Sequence, residues 1–571
     1  MKNFFTDNEW LGRQLLHPEM HRIVELYERG YVEAEHNDEA PRDFEEARAG
    51  YWEAMRILGA LCAEHIAPHA ANVDREGPRC EAGRVTYAVG TAEAHRLLVA
   101  SGLYGMSLER RFGGLNFPVT LFVMASELIA RADASLNNLW ALQNCAETIA
   151  TFGTEEQCER FLKRVAAGDT CSMDLTEPEA GSDLQSAMLR ASWSEEQGCW
   201  MLDGVKRFIT NGDADIHLVL ARTEAGTSDA RGLSLFIYDK RDGGMTVRRI
   251  EHKLGIVGSP TCELVFDHAR AELVGVQRIG LIKYVMALMN QARLGIGAQS
   301  VGIAEAAWRQ AQLYAQQRRQ FGQPIATFTA VAELLATMRT KLDASRALLY
   351  ATARQVDVAQ GLARQANRKG LEPDERAAMK QAQQRADMYT PMLKLMSGEY
   401  CNQITYDAMQ VFGGSGYVKD FEVERLYRDA RVVTIYEGTS QLQVIAAMKY
   451  ITNGALVGEL RARAEEAAAR GGLDYERWVL TELTERFVEL IQRTEAEGDA
   501  FVELHARRLV ECGGALLMCY LLLAEADDER MRCSMRHYVA MTRSLVMAHI
   551  EMNNALAPEM AKALLASVQY G

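Results

Sequence analysis

Glu437 follows the apolar run Val432-Val433-Thr434-Ile435-Tyr436 and precedes Gly438-Thr439-Ser440-Gln441. A carboxylate placed against apolar walls has its ionised form disfavoured, and the raised pKa suits a general base working near neutral pH. A solvated Glu beside a helix that Thr439 or Ser440 caps, running through Met448, fits the same residues. The loop Thr176-Glu177-Pro178-Glu179-Ala180-Gly181-Ser182-Asp183 gathers hydroxyls and backbone N–H groups that can face a polar ligand, or it is a connector with a Ser or Asp cap. In Lys206-Arg207-Phe208-Ile209-Thr210-Asn211-Gly212, Phe208 and Thr210 would share a strand face before an Asn-Gly turn, which a plain hairpin also explains. Gly413-Gly414-Ser415-Gly416 permits close backbone approach or simply ends a helix. The pairs His17/His21 and His65/His69 have helical spacing but lack a third ligand, so no metal is expected.

Elements of two kinds must position these residues. From Pro41 to about Gly168 the apolar spacing is helical, with breaks at Gly77-Pro78, Gly113-Gly114 and Gly153. Between Ile216 and Phe266 short β-branched or alternating runs take over, and Arg241-Asp242-Gly243-Gly244 is spelled like a hairpin turn. Long helical patterns return from Leu281 to Tyr450, where Ala351 to Met388 reads as two exposed helices. Further amphipathic helices follow. The expected organisation is an acidic helical arm (1–40), an N-terminal helical domain (41–170), a β domain (171–275), a helical domain carrying Glu437 (276–452) and a C-terminal helical extension (453–571).

A chain of 571 residues is long enough for about four structural units at roughly 150 residues each. Lys and Arg total 63 against 77 Asp and Glu, a net charge of −14, the wrong sign for tracking nucleic acid or anionic lipid. The 11 Cys show no CxxC spacing, which fits reduced thiols and a cytoplasmic location. Neither a secretory h-region nor a peroxisomal address is visible. The longest apolar run, Cys512 to Ala524, is shorter than the roughly 20 residues that span a bilayer. A buried helix is expected there. No GxGxxG follows a strand, which argues against a Rossmann site.

Five segments in order, TEPEAGSD (176–183), FITNG (208–212), RRQFGQPI (318–325), QVFGGSGY (410–417) and RLYRDARVVTIYEGTSQLQ (425–443), resemble the acyl-CoA dehydrogenase family. The resemblance covers about residues 41–450. The added arm and C-terminal helices resemble its enlarged branch, which includes the 3-methylthiopropanoyl-CoA dehydrogenases. It implies a mainly α protein with a central β domain, made of a helical domain, a small β domain and a four-helix domain, with FAD between them and a partner subunit in a homodimer or homotetramer. By motif match, Met173, Leu175, Thr176, Gly181 and Ser182 would line the flavin and thioester region, and Phe208 and Thr210 would meet the isoalloxazine. Arg318 and Gln320 would reach FAD across a subunit interface, Gln410, Gly413 and Gly414 the adenosine half of a neighbouring FAD, and Thr439 and Gln441 the pyrophosphate. Ser182, Asn290, Arg293 and Gly438 would border substrate, with Glu437 as catalytic base. Phe208 stands where Trp is frequent, Met173 where Tyr or Phe is, Glu179 where Gly is, and Thr329 where Gln is, all bearing on flavin packing and tuning. Some branches carry the base immediately before the Arg of the substrate helix, where this chain has Ala292.

The implied reaction is α,β-dehydrogenation of an acyl-CoA thioester to the 2-enoyl-CoA. Glu437 would take the α-proton and flavin N5 the β-hydride, with electrons passed to electron-transfer flavoprotein. Two alternatives have the same fold: an acyl-CoA oxidase using oxygen, and a low-activity scaffold or stress protein.

Overall fold

Helical periodicity through residues 9–166 forms α1 (Glu9–Leu15), α2 (Glu19–Tyr27), α3 (Phe44–Leu61) and α4 (Ala70–Glu76), then the hairpin β1 (Arg79–Glu81) and β2 (Arg84–Thr86). It continues as α5 (Val89–Ala100), α6 (Val119–Ala132), α7 (Ala134–Ala141), α8 (Asn144–Phe152) and α9 (Glu155–Ala166). This computed structural model describes residues 2–556 and 558–569; Met1, Ala557, Tyr570 and Gly571 lie outside the described residues, and with them the end of the C-terminal sequence read above. The β1–β2 hairpin interrupts the helical expectation for 41–170. Its turn at Ala82 and Gly83 has φ of 50° and 76°, and Cys80 and Val85 pack against the sheet that follows.

That sheet comprises β3 (Cys171–Asp174), β4 (Arg190–Ser194), β5 (Cys199–Thr210), β6 (Ile216–Arg222), β7 (Leu233–Asp239), β8 (Met245–Ile250) and β9 (Thr261–Leu273). Its order is β3-β6-β4-β5-β9-β7, with β8 on β9 and a β6–β7 pairing that closes the sheet on itself. Leu202, Val219, Phe236, Leu264 and Phe266 fill the interior. The expected hairpin at Arg241–Gly244 does not form, nor does the plain hairpin that Asn211-Gly212 left open. β7 and β8 are not paired with each other, because the chain crosses close over β9: a Cβ on Gly244 would lie 2.7 Å from Ala269 Cα. Asn211-Gly212 likewise does not return β5 onto β6, since β5 lies between β4 and β9.

The later chain forms α10 (Met286–Gln317), the hairpin β10 (Arg319–Gln320) and β11 (Gln323–Pro324), α11 (Thr329–Lys369), α12 (Pro373–Phe412), α13 (Val423–Ala430) and α14 (Ser440–Thr452). The C-terminal helices are α15 (Ala455–Arg470), α16 (Asp474–Ala496), α17 (Asp499–Glu525), α18 (Glu529–Ala555) and α19 (Pro558–Gln569). Two compact units result. One comprises Met1–Ala306, Ala353–Gln383 and Glu424–Val432, the other Ala307–Thr352, Gln384–Val423 and Val433–Gly571.

In the first unit the N-terminal arm is stitched into the body. Trp10, Leu11, Ile23 and Val24 are buried. Tyr27 Oη donates to Asp357 Oδ1 at 2.8 Å, and the same carboxylate accepts from Val119 N, Thr120 N and Thr120 Oγ1 at 2.6, 2.9 and 2.6 Å. Arg354 pairs with Glu19 at 2.8 Å. The stretch from Ala351 is therefore not exposed through its first half: its polar residues bond inward and are buried.

Burial pushes Asp357 up to about 6 against these donors. A raised folded-state pKa gives stability that is present below the unfolded value and lost as pH rises through about 6. An amide does not titrate, so the stability advantage of wild type over Asp357→Asn should shrink by about 2–3 kcal/mol between pH 4 and 7, as measured by guanidinium unfolding at each pH. An advantage growing with pH would mean that the donors outweigh burial.

In the second unit α15–α18 pack on α12 and α14. Tyr389 of α12 donates to Glu459 of α15, Tyr400 meets Tyr538 of α18 at 3.0 Å, and a Cβ on Gly514 of α17 would meet Met396 Cγ at 3.2 Å. Cys512 to Leu523 is buried helix, as its apolar run implies. Among the described residues no helix is long and apolar enough to cross a membrane. Truncation after Thr452 should strip these partners from α12 and α14 and sharply reduce soluble yield. An equally soluble, active truncate would contradict this packing.

Candidate active site

In the first unit, β3 delivers half-buried Met173 and, just beyond its end, buried Leu175 and half-buried Thr176. The following loop is fixed by a buried pair. Lys206 Nζ donates to Leu175 O at 2.9 Å and to Glu177 Oε1 at 2.8 Å, while Glu177 accepts from Met188 N and Leu189 N at 2.7 and 2.8 Å. Burial pushes the Lys206 ammonium below its ordinary range, opposed by Glu177. Gly181 and Ser182, further along the loop, are exposed. Under β3, Asp174 accepts from Ser172 Oγ at 2.6 Å and pairs with His217 Nδ1 at 2.8 Å, all fully buried.

The β5 register shifts between Lys206 and Ile209, and Phe208 takes φ of 59°. The strict alternation expected for Phe208 and Thr210 is therefore broken. The result leaves Phe208 53% exposed, with the Arg207 guanidinium over its ring at 4.7 Å and half-buried Thr210 two residues on. On α10, Arg293 is buried and donates to Asn290 Oδ1 at 3.2 Å, so these two residues meet; Ala292 lies beside them in sequence.

In the second unit, Glu437 is half-buried with φ of 54°, followed by Gly438 at 89°. A non-glycine residue in this left-handed region costs roughly 1–2 kcal/mol and persists only where its surroundings hold it. Here Gly438 O accepts from buried Lys394 Nζ at 2.6 Å and from Gln443 Nε2 at 3.0 Å. Thr439 caps α14, its hydroxyl oxygen accepting from Leu442 N at 3.4 Å, which leaves the hydroxyl proton to donate elsewhere. Gln441 is exposed. So are Arg318, Gln320, Gln410, Gly413 and Gly414. The hairpin after Arg318 turns through Phe321 and Gly322, both at positive φ, and leaves Phe321 94% exposed.

Lys394, which fastens the Glu437 loop, lies outside every motif, and the pairing of Lys206 with Glu177, each inside a quoted loop, is not legible in the sequence. The usable signal was a lone Lys in an apolar context, as in Met392-Leu393-Lys394-Leu395-Met396.

The N-terminal helices, the closed β unit and the long helices that follow each match a domain of one enzyme family. Family models for the acyl-CoA dehydrogenase N-terminal domain, middle domain and C-terminal domain match residues 53–169, 172–269 and 294–441. A further one, described as acyl-CoA dehydrogenase C terminal, matches 452–560. The 3-methylmercaptopropionyl-CoA dehydrogenase of Ruegeria pomeroyi is 32% identical over 517 residues, covering 85% of this chain and 81% of that protein. The butyryl-CoA dehydrogenase structure from Megasphaera elsdenii has a TM-score of 0.60 and 29% identity, over 70% of this chain and 98% of its own. An acyl-CoA dehydrogenase from Bacillus anthracis, solved with FAD, has a TM-score of 0.74 over 91% of both chains; at 21% identity it speaks for the fold alone. The chain belongs to the acyl-CoA dehydrogenase family, whose cofactor is FAD. The residues present fit that group: the exposed Phe208 ring offers an aromatic contact beside the Arg207 guanidinium, and Thr176 and Thr210 place hydroxyl donors on the same unit.

Proposed function

We propose that the protein oxidises an acyl-CoA thioester to the 2-enoyl thioester, with Glu437 as the base that removes the α-proton. The strained, fastened loop at Glu437 is the observation that carries this reading, because backbone held in such a conformation marks residues whose direction matters. Bound FAD supplies the two-electron acceptor for the β-hydride. Phe208, Thr176 and Thr210 hold the ring system, and Leu175, Met173, Gly181 and Ser182 line the adjoining thioester region. The Glu437 carboxylate breaks the α C–H bond and keeps the proton, while the electron pair left at Cα forms the new double bond. The Glu437 N–H is one of the donors that stabilise charge developing on the thioester oxygen. Asn290, Arg293 and Gly438 border the substrate.

Thr439 and Gln441 reach the pyrophosphate. Arg318, Gln320, Gln410, Gly413 and Gly414 serve a second copy's FAD, a role supported by their uniform exposure. The assembly is a homodimer or homotetramer. Electrons leave to electron-transfer flavoprotein, and the acidic chain with its free thiols suits a cytoplasmic setting.

A panel of acyl-CoAs mixed anaerobically with the purified holoenzyme tests this reading. At least one should bleach the flavin, and the reduced enzyme should hand electrons to electron-transfer flavoprotein faster than it forms peroxide with oxygen. No bleaching by any thioester would overturn the reading, and rapid peroxide formation would replace the dehydrogenase with an oxidase.

A further inference from the structure

The loop carrying Glu437 is anchored on one face of α12, and that anchor continues into the C-terminal extension. Ser440, three residues after Glu437, donates its hydroxyl to Glu399 Oε1 on α12 at 2.7 Å. Arg507 of α17 reaches the same oxygen, with Nη2 at 3.1 Å. Arg507 Nε also donates to Glu511 Oε1 at 2.8 Å, and His549 of α18 lies 3.4 Å from Glu511 Oε2. The backbone next to these groups is in close contact: a Cβ on Gly398 would sit 3.2 Å from Val433 O, so α12 and the loop meet without an intervening side chain.

We propose that Glu399 and Arg507 are positioning residues for Glu437, so that the C-terminal extension completes the anchorage of the loop carrying the base. This rests on Glu437 being the base. Ser440 begins α14, and its hydroxyl reaches Glu399 at 2.7 Å only when that side chain is turned toward it, Thr434 O lying further off at 3.5 Å. Glu399 is only partly buried, with 28% of its side chain exposed, so its own packing does not fix its rotamer. Arg507 supplies the missing constraint by holding the oxygen that Ser440 uses. Lys394 and Gln443 hold the loop at the Gly438 carbonyl, and Glu399 with Arg507 holds it two residues further on. A base displaced by about 1 Å from its proton costs up to roughly 10²-fold in rate, so a partial loosening should slow the chemistry without emptying the site.

The test uses the full-length holoenzyme with an acyl-CoA that bleaches the flavin, and a thioether CoA analogue that cannot react. Arg507→Met should lower single-turnover flavin reduction about tenfold, with FAD content and analogue affinity within about twofold of wild type. Arg507→Lys should recover most of the rate. Glu399→Gln should match Arg507→Met, and the double variant should be no slower than either single one, since both act through one contact. A normal reduction rate in Arg507→Met, additive losses in the double variant, or a loss that only mirrors missing FAD would each overturn the proposal. Glu437→Gln in the same assay separates the two layers: if it is slow while Arg507→Met is normal, the base stands and the positioning role falls; if it reduces flavin normally, both fall.

Discussion

Lys206→Met is expected to destabilise the first unit by about 3–5 kcal/mol and to lower the FAD content of purified protein. Methionine keeps the buried stem of Lys206 but removes its ammonium. Glu177 is then left with the backbone N–H groups of Met188 and Leu189 and no cation, and Leu175 O loses its donor. Removing one partner of a buried pair costs far more than removing both. Lys206→Met/Glu177→Gln should therefore recover part of the loss. Guanidinium unfolding followed together with flavin absorbance measures both effects. A change of no more than roughly 1 kcal/mol, the size found for exposed pairs, with full FAD content, would show that the pair does not organise the loop.

Glu437→Gln is expected to lower kcat by at least about 10²–10⁴-fold, the usual contribution of a general base, while FAD and acyl-CoA binding stay close to wild type. The amide keeps the shape of the side chain and its place in the left-handed turn but cannot accept the α-proton. No carboxylate stands at Ala292 to take over. A Glu that served only as a charge near the start of α14 would instead give a stability change of roughly 0.3–1 kcal/mol and near-normal turnover.

Much of the helical architecture was legible because amphipathic spacing is local: α14 and its Thr439 cap follow from the order of residues around Gly438, and the buried α17 follows from the apolar run at Cys512. Strand order was not. The spelling Arg241-Asp242-Gly243-Gly244 describes a turn correctly but says nothing of which strand lies on the far side, and β9 takes β8 as its neighbour through contacts some twenty residues away. The small β1–β2 hairpin is not legible in the sequence because its strands are three residues each, too short for alternation to show. The exposure assigned to Ala351–Met388 failed for a different reason. Gln, Arg and Asp read as surface residues, yet Arg354, Gln355 and Asp357 are buried against partners more than two hundred residues distant in sequence. Around the candidate site, Lys206, Lys394 and Glu399 act through backbone carbonyls and hydroxyls that only the folded chain brings to them, so no local spelling marks them.

The most direct measurement mixes wild type and Glu437→Gln, each loaded with FAD, with the same acyl-CoA under anaerobic conditions and follows flavin absorbance through a single turnover. The expected result is rapid bleaching in the wild type and bleaching at least about a hundredfold slower in the variant, at matched FAD and thioester occupancy. Bleaching of the variant at close to the wild-type rate would remove Glu437 as the base.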